Sequence, residues 1–239
     1  GDHRDLHLSI RRQRQMCIRD RIITIDGAAA VGKTTIAKSL ASKLGYQYLD
    51  TGAMYRAVTY FFKQHSIDIS SESQVRKMLD ILNLEIDFLS GNNITVLLDN
   101  KDVSSIIRSK EITSAVSEVS ALQPVREKIV EIQKDITKNG NFVIEGRDIG
   151  TVVYPGAKYK FFVIADYNTR AERRLKDFKR LNEELNVNKI KQDLIDRDQY
   201  DSSRKLSPLK QASDAIVIDT SNCTADDAVN QIYKHIERN

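Results

Sequence analysis

The sequence predicts a three-layer α/β domain, in which a parallel sheet of about five strands carries helices on both faces. Three observations predict it. Short apolar runs rich in β-branched and aromatic residues alternate with longer stretches of helical period. Most of the runs are near-continuously apolar, as strands buried on both faces tend to be. The first run ends in a glycine-bearing turn that opens directly into a helix.

The elements follow in order. Ile22-Ile23-Thr24-Ile25 reads as the first strand, ending at Asp26 and Gly27. Lys33 to Leu44 reads as a helix, with Ile36, Leu40 and Leu44 on one face and Gly45 as its C-terminal stop. Tyr46 to Leu49 is a second strand. Thr51 to Gln64 is a helix with Met54, Val58 and Phe61 or Phe62 inward. Residues 84–103 alternate apolar and polar around two turns, Gly91-Asn92-Asn93 and Asp99-Asn100-Lys101, and so read as a small antiparallel insertion. Helical patterns resume over 105–120 and 124–138. Phe142-Val143-Ile144, Phe161-Phe162-Val163-Ile164 and Ala215 to Ile218 complete the sheet. Residues 168–205 are charged and helical, and Thr224-x-x-Asp227 caps a closing helix.

Composition narrows the function classes. With 239 residues, 41% hydrophobic and 29% charged, the chain suits one globular core. No apolar run approaches the 18 or so residues of a membrane span. Cys17 and Cys223 are too few for a disulfide framework or a four-cysteine zinc site, so a reducing, cytoplasmic setting is expected. The four histidines (His3, His7, His65 and His235) are scattered and read as surface residues. Residues 1–20 carry five Arg and three Asp and lack a signal-peptide core, so they read as a disordered tail or a scar outside a domain spanning 21–239. A net charge of +4 is too weak to imply nucleic-acid binding.

Gly27-Ala28-Ala29-Ala30-Val31-Gly32-Lys33-Thr34 fits the phosphate-loop pattern G-x4-G-K-[ST], with a strand before it and a helix after it. Its backbone amides and the helix N-terminus would face an anion. Lys33 supplies a point charge for the β- and γ-phosphates, and the Thr34 hydroxyl a ligand for the Mg²⁺ that bridges them. The string Asn100-Lys101-Asp102-Val103 has its acid one place too early for a guanine reader, which argues against a GTPase. A small kinase fits better.

In parallel sheets ligands sit at the carboxyl ends of the strands, and three further clusters fall where an acceptor would bind. Leu49-Asp50-Thr51-Gly52-Ala53-Met54-Tyr55-Arg56 follows the second strand. Glu145-Gly146-Arg147-Asp148-Ile149-Gly150-Thr151 follows a later one. Arg197, Asp201 and Arg204 share a helical face. Arg170, Arg173, Arg174, Lys176, Lys179 and Arg180 place six cations in eleven residues, which reads either as a lid over a triphosphate or as a solvated helix face.

The strings LDTGAMYRA (49–57), EGRDIGTVV (145–153) and RDQYDSSRKLSPL (197–209) resemble bacterial cytidylate kinases, members of the nucleoside monophosphate kinase family. The resemblance runs from about Ile22 to the end. It implies a P-loop kinase core with a nucleoside monophosphate-binding insertion at about 51–120 and a short helical lid at about 170–190. It also implies ATP-dependent, Mg²⁺-assisted in-line phosphorylation of CMP and dCMP by a monomer. ATP would be held by Gly27, Ala28, Ala29, Ala30, Val31, Gly32, Lys33, Thr34 and Thr35, with Arg170 and Arg174 from the lid. The CMP phosphate would be held by Arg56, Arg147 and Arg204 beside Thr51. Ser117, Arg126 and Asp148 would meet the cytosine, and Asp201 and Arg197 the ribose. Lys33, Arg147, Arg197 and Arg204 would carry the catalytic charge. Ala28 stands where the family commonly has proline, and Val31 where it usually has a small residue. Two alternatives stay open: another small P-loop kinase acting on UMP or AMP, and a non-catalytic nucleotide- or RNA-binding protein.

Overall fold

The computed structural model describes residues 21–180 and 186–238, with 177–180 as helix backbone. The tail at 1–20, the middle of the expected lid at 181–185, and the side chains of Lys179 and Arg180 lie outside the described residues.

Five strands form the parallel sheet: β1 (Ile22–Gly27), β2 (Gln47–Asp50), β6 (Phe142–Gly146), β7 (Tyr159–Ile164) and β8 (Ile216–Asp219), in the order β2-β6-β1-β7-β8. All four pairings are parallel. β1 lies in the centre and is buried along its whole length. Its residues alternate between two cores, as the two-residue period of a strand requires. Ile22 packs with Leu49, Phe142 and Ile144 into one layer. Ile23 and Ile25 pack with Tyr48, Val143 and Phe161 into the other.

The second layer is closed by α1 (Lys33–Leu44) and α8 (Ala225–Glu237), through Ile36, Leu40, Val229 and Ile232. The first is closed by α2 (Thr51–Gln64), α4 (Lys110–Val119) and α5 (Gln123–Thr137), through Met54, Phe62, Val116 and Ile129. The expected hairpin is present: β3 (Leu84–Leu89), β4 (Asn93–Leu98) and β5 (Lys101–Asp102) make a separate antiparallel sheet. It joins the first core through Leu84, Val96 and Leu98. Two helices, α6 (Tyr167–Arg180) and α7 (Val187–Ser203), form an arm. Its small core of Ala171, Ile190 and Leu194 touches the loop after β1 at Ala29 and Ala30.

Capping chemistry explains most boundaries. Gly45 takes the left-handed conformation, and the next amide, Tyr46 N, bonds Ala41 O at 2.9 Å. Asp50 caps α2 by accepting from Ala53 N, and Thr224 and Asp227 form the expected capping box. α1 is the exception. Its N-cap is Gly32 at φ 97° with no side-chain bond, and no acid stands in its first turn. The first amides of α1 therefore have no side-chain acceptor from the cap, at the end of the loop that follows β1.

Differences from the sequence reading are local. The stretch 105–120 divides into a 3₁₀ turn, Ile106–Arg108, and α4, because Ser109 caps a new start. One further helix, α3 (Glu72–Asp80), buries only Val75 and Leu79, too sparse a stripe to stand out in a polar stretch. β6 continues through Glu145 and Gly146, past the apolar run.

Gly27 has φ 150°, and a Cβ there would collide with the carbonyl oxygen of Val163 on β7. Gly27→Ala is expected to lower stability by more than about 2 kcal/mol, measured by chemical denaturation against the parent chain.

Candidate active site

The carboxyl ends of β1, β2 and β6 open into one cleft of about 840 Å³. The loop after β1 forms one wall. Several of its carbonyls are already taken by donors. Ala28 O accepts from Lys33 Nζ at 2.5 Å. Ala29 O accepts from Arg170 Nε at 2.8 Å. Val31 O accepts from Thr220 Oγ1 at 2.8 Å and Arg173 Nη1 at 3.1 Å. In a trans peptide the following N–H points the other way. The amides of Ala30 and Gly32 are thus turned from Arg170 and Arg173, and both residues line the cleft. Val31 is 1% exposed, and its side chain packs into the core beneath the loop.

Lys33 and Thr34 open α1 into the cleft. Burial, and then the nearby Arg147, push the Lys33 amine down to about 7. Thr34 Oγ1 donates to Glu145 Oε1 at 2.7 Å, and the buried Tyr48 hydroxyl donates to the same oxygen. Burial, and then Asp50, raise the Glu145 carboxyl above its usual range. Thr51 Oγ1 donates to Glu145 O at 2.7 Å and ties the start of α2 to β6.

The opposite wall carries guanidinium groups in excess of their counterions. Asp50 meets Arg56 at 3.0 Å and Arg108 at 3.6 Å. Burial works against its ionisation, but the two arginines hold its carboxyl below the usual range. Asp201 serves three arginines: Arg204 at 3.1 Å, Arg147 at 3.2 Å and Arg197 at 4.0 Å. Arg126 pairs with Asp148, donates to Ser120 O at 3.2 Å and lies 5.4 Å from the Tyr55 ring centre. Arg204 also donates to Ser120 Oγ at 3.2 Å.

Ten cationic side chains line the cleft against four carboxylates. Burial, and then Arg147, push the Arg197 guanidinium down to about 9. The Nε groups of Arg56 and Arg197 are buried without a hydrogen-bond partner. Buried donors of this kind call for acceptors from a ligand, and the charge excess calls for a polyanion.

Most of the expected site residues converge here. Ala29, Ala30, Val31, Gly32, Lys33, Thr34 and Thr35 line the cleft, as do Thr51, Arg56, Arg126, Arg147, Asp148, Arg174, Arg197, Asp201 and Arg204. Four lie off it. Gly27 and Ala28 form the root of the loop. Arg170 sits under the loop, held by Asp198 at 2.6 Å and by Ala29 O, because it falls in the first turn of α6. Ser117 lies off the lining, and Ser120, three residues on, occupies the wall; its hydroxyl donates to Ser117 O. Arg108, Thr220 and Cys223 line the cleft without any sequence signal pointing to them. Cys223 reaches it because the loop between β8 and α8 folds beside Val31.

The parallel sheet, the phosphate loop and the arginine-rich cleft at its carboxyl edge define a P-loop nucleotide kinase. The model of the family described as cytidylate kinase matches residues 23–238. A protein described as cytidylate kinase from Protochlamydia amoebophila is 44% identical over 218 residues, covering 90% of this chain and 95% of that one. Another from Fusobacterium nucleatum is 42% identical, covering 91% and 97%. A crystal structure of an uncharacterized protein from Eubacterium ventriosum superposes with a TM-score of 0.50 at 14% identity, covering 91% of this chain and 98% of that one, and shares the fold. The chain belongs to the cytidylate kinase family.

The depressed Lys33 value has a thermodynamic consequence. Between about 7 in the folded chain and the ordinary 10.5, the unfolded chain binds more protons. This group therefore makes the ligand-free fold more stable as pH rises from 7 towards 10.5. Lys33→Met is expected to stabilise the ligand-free protein by about 1–2 kcal/mol at pH 7, with a smaller gain at pH 9. Denaturant titrations at the two pH values, with and without the substitution, check this.

Proposed function

We propose that the protein transfers the γ-phosphoryl group of ATP to the phosphate of CMP or dCMP, giving ADP and CDP or dCDP. The charge excess of the cleft is the observation that carries this reading. ATP and CMP together bring about six negative charges near neutral pH, and their close approach in a low-dielectric site needs cations. The ten cations and four carboxylates leave an excess of six.

The positions divide the work. The loop amides and Lys33 take the β- and γ-phosphates of ATP. Its adenosine end has the wall of Arg173, Thr220 and Cys223. The CMP phosphate meets Arg56, Arg147 and Arg204 beside Thr51. Asp201 and Arg197 face the ribose. Asp148 meets the base. Its Oδ2 is held by Arg126, so Oδ1 accepts from the cytosine amino group. Uracil presents a carbonyl at that position and is repelled. The acceptor is already a phosphate oxyanion, so no general base is required. Positioning and charge neutralisation carry the reaction.

The residues also fit Mg²⁺. Thr34 and Glu145 place a hydroxyl and a carboxylate 2.7 Å apart at the head of α1, a hard-oxygen pair. Among the described residues, no three His, Cys, Asp or Glu side chains form a metal cage. That suits an ion held mainly by phosphate oxygens and water. When bound, it would neutralise charge on the transferring phosphates. Thr34 and Glu145 would orient it. Among the described residues no helix is long and apolar enough to cross a membrane, and the reading places the enzyme in the cytoplasm.

The test is ADP release against CMP, dCMP, UMP and AMP. CMP and dCMP should be the efficient acceptors, and AMP as the preferred acceptor would overturn the assignment. Asp148→Asn should lower the ratio of kcat/KM for CMP over UMP by about 10- to 100-fold, the cost of an unpaired buried polar group.

A further inference from the structure

Asp26 is the last residue of β1 before Gly27, and it is buried. It does not line the cleft. Its two carboxylate oxygens go to two consecutive backbone amides: Oδ1 accepts from Ile149 N at 2.9 Å, and Oδ2 from Gly150 N at 2.7 Å. Those amides directly follow Arg147 and Asp148. The contact admits no side chain on the far side. A Cβ at Gly150 would lie 2.9 Å from Thr24 Oγ1 and 3.3 Å from Asp26 Oδ2. On the near side, a Cβ at Gly146 would lie 2.5 Å from the Ile149 side chain. The turn is therefore pinned at both ends, and beyond it the Asp148 carbonyl accepts from Val152 N at 2.9 Å.

The pinned segment presents two adjacent side chains to different parts of the cleft. Arg147 turns to Asp201, and Asp148 turns to Arg126. A small rotation of one peptide there would displace both. A carboxylate is also a costly choice at this position: burial pushes its carboxyl up to about 6, against the help of both amides.

We infer that Asp26 is a positioning residue for acceptor recognition: by holding the amides of Ile149 and Gly150 it sets the Arg147–Asp148 step in the orientation that reads cytosine. The inference rests on the proposed role of Asp148. It makes the strand that feeds the donor loop also the anchor of the acceptor turn.

Asp26→Asn keeps the shape but offers one acceptor and a new donor, so one amide loses its partner. The ratio of kcat/KM for CMP over UMP should fall about tenfold, and KM for CMP should rise about tenfold, the effect of one lost buried hydrogen bond. KM for ATP should stay within about twofold. If the variant folds and neither the ratio nor KM for CMP moves, Asp26 has only a structural role and the inference fails. If KM for ATP rises alone, Asp26 serves the phosphate loop, and the inference fails in another way. Gly150→Ala pushes the same turn from the other side and should give the same signature; unchanged discrimination there also overturns the inference. Hydrogen exchange on the parent protein is independent of both variants. The amides of Ile149 and Gly150 should be protected before any nucleotide is added, and unprotected amides sink the idea. Asp148→Asn run alongside separates the two readings. If it leaves discrimination intact, the base-reading role has failed, whatever Asp26 does.

Discussion

Like charges gathered in a shielded cleft repel one another, and the fold has to hold them there before any ligand arrives. Asp201 and Asp50 are the means. One buried carboxylate faces Arg147, Arg197 and Arg204, and the other faces Arg56 and Arg108. Each leaves its cluster short of negative charge. Replacing either with a neutral residue would leave uncompensated guanidinium groups in a partly dry site, a costly arrangement. Adding further carboxylates would remove the attraction for substrate. The site is thus balanced between collapse through repulsion and silence through neutrality.

The donor loop obeys a related constraint. Its carbonyls are engaged by Lys33, Arg170, Arg173 and Thr220. Those donors come from α1, from α6 and from the end of β8, so three separate elements orient one short turn. The uncapped head of α1 and the depressed Lys33 amine are local costs to the empty protein. They are also the features that a polyphosphate would relieve. Stability and function oppose each other here, as they commonly do at active sites.

Periodicity and caps show how far a sequence can be read. α1 and α2 are found at their expected bounds, because an apolar stripe and a stop or cap signal agree at each end. The strand runs are found within a residue or two. α3 goes unseen because two buried residues in nine do not make a stripe. The site divides the same way. Residues grouped within a short string, such as Thr51 with Arg56 or Arg147 with Asp148, can be read as clusters. Ser120 and Arg108 reach the cleft only through tertiary packing, and nothing beside them in the chain marks them. The charge run beginning at Arg170 shows the limit most clearly. Composition announces cations, but only the docking of α6 shows that the first of them braces the loop from below.

Asp50 is itself an anionic occupant of the cleft. Its carboxylate caps α2 and at the same time sits against Arg56 and Arg108, where the proposed reading seats an incoming oxyanion. Any such guest competes with a resident anion that is covalently part of the protein and never diffuses away. On that reading retention would be weakened from within, and a phosphorylated product would depart with a replacement already in place. On the proposed reaction two diphosphates leave per cycle, and the one seated against Arg56 would leave against this tethered rival.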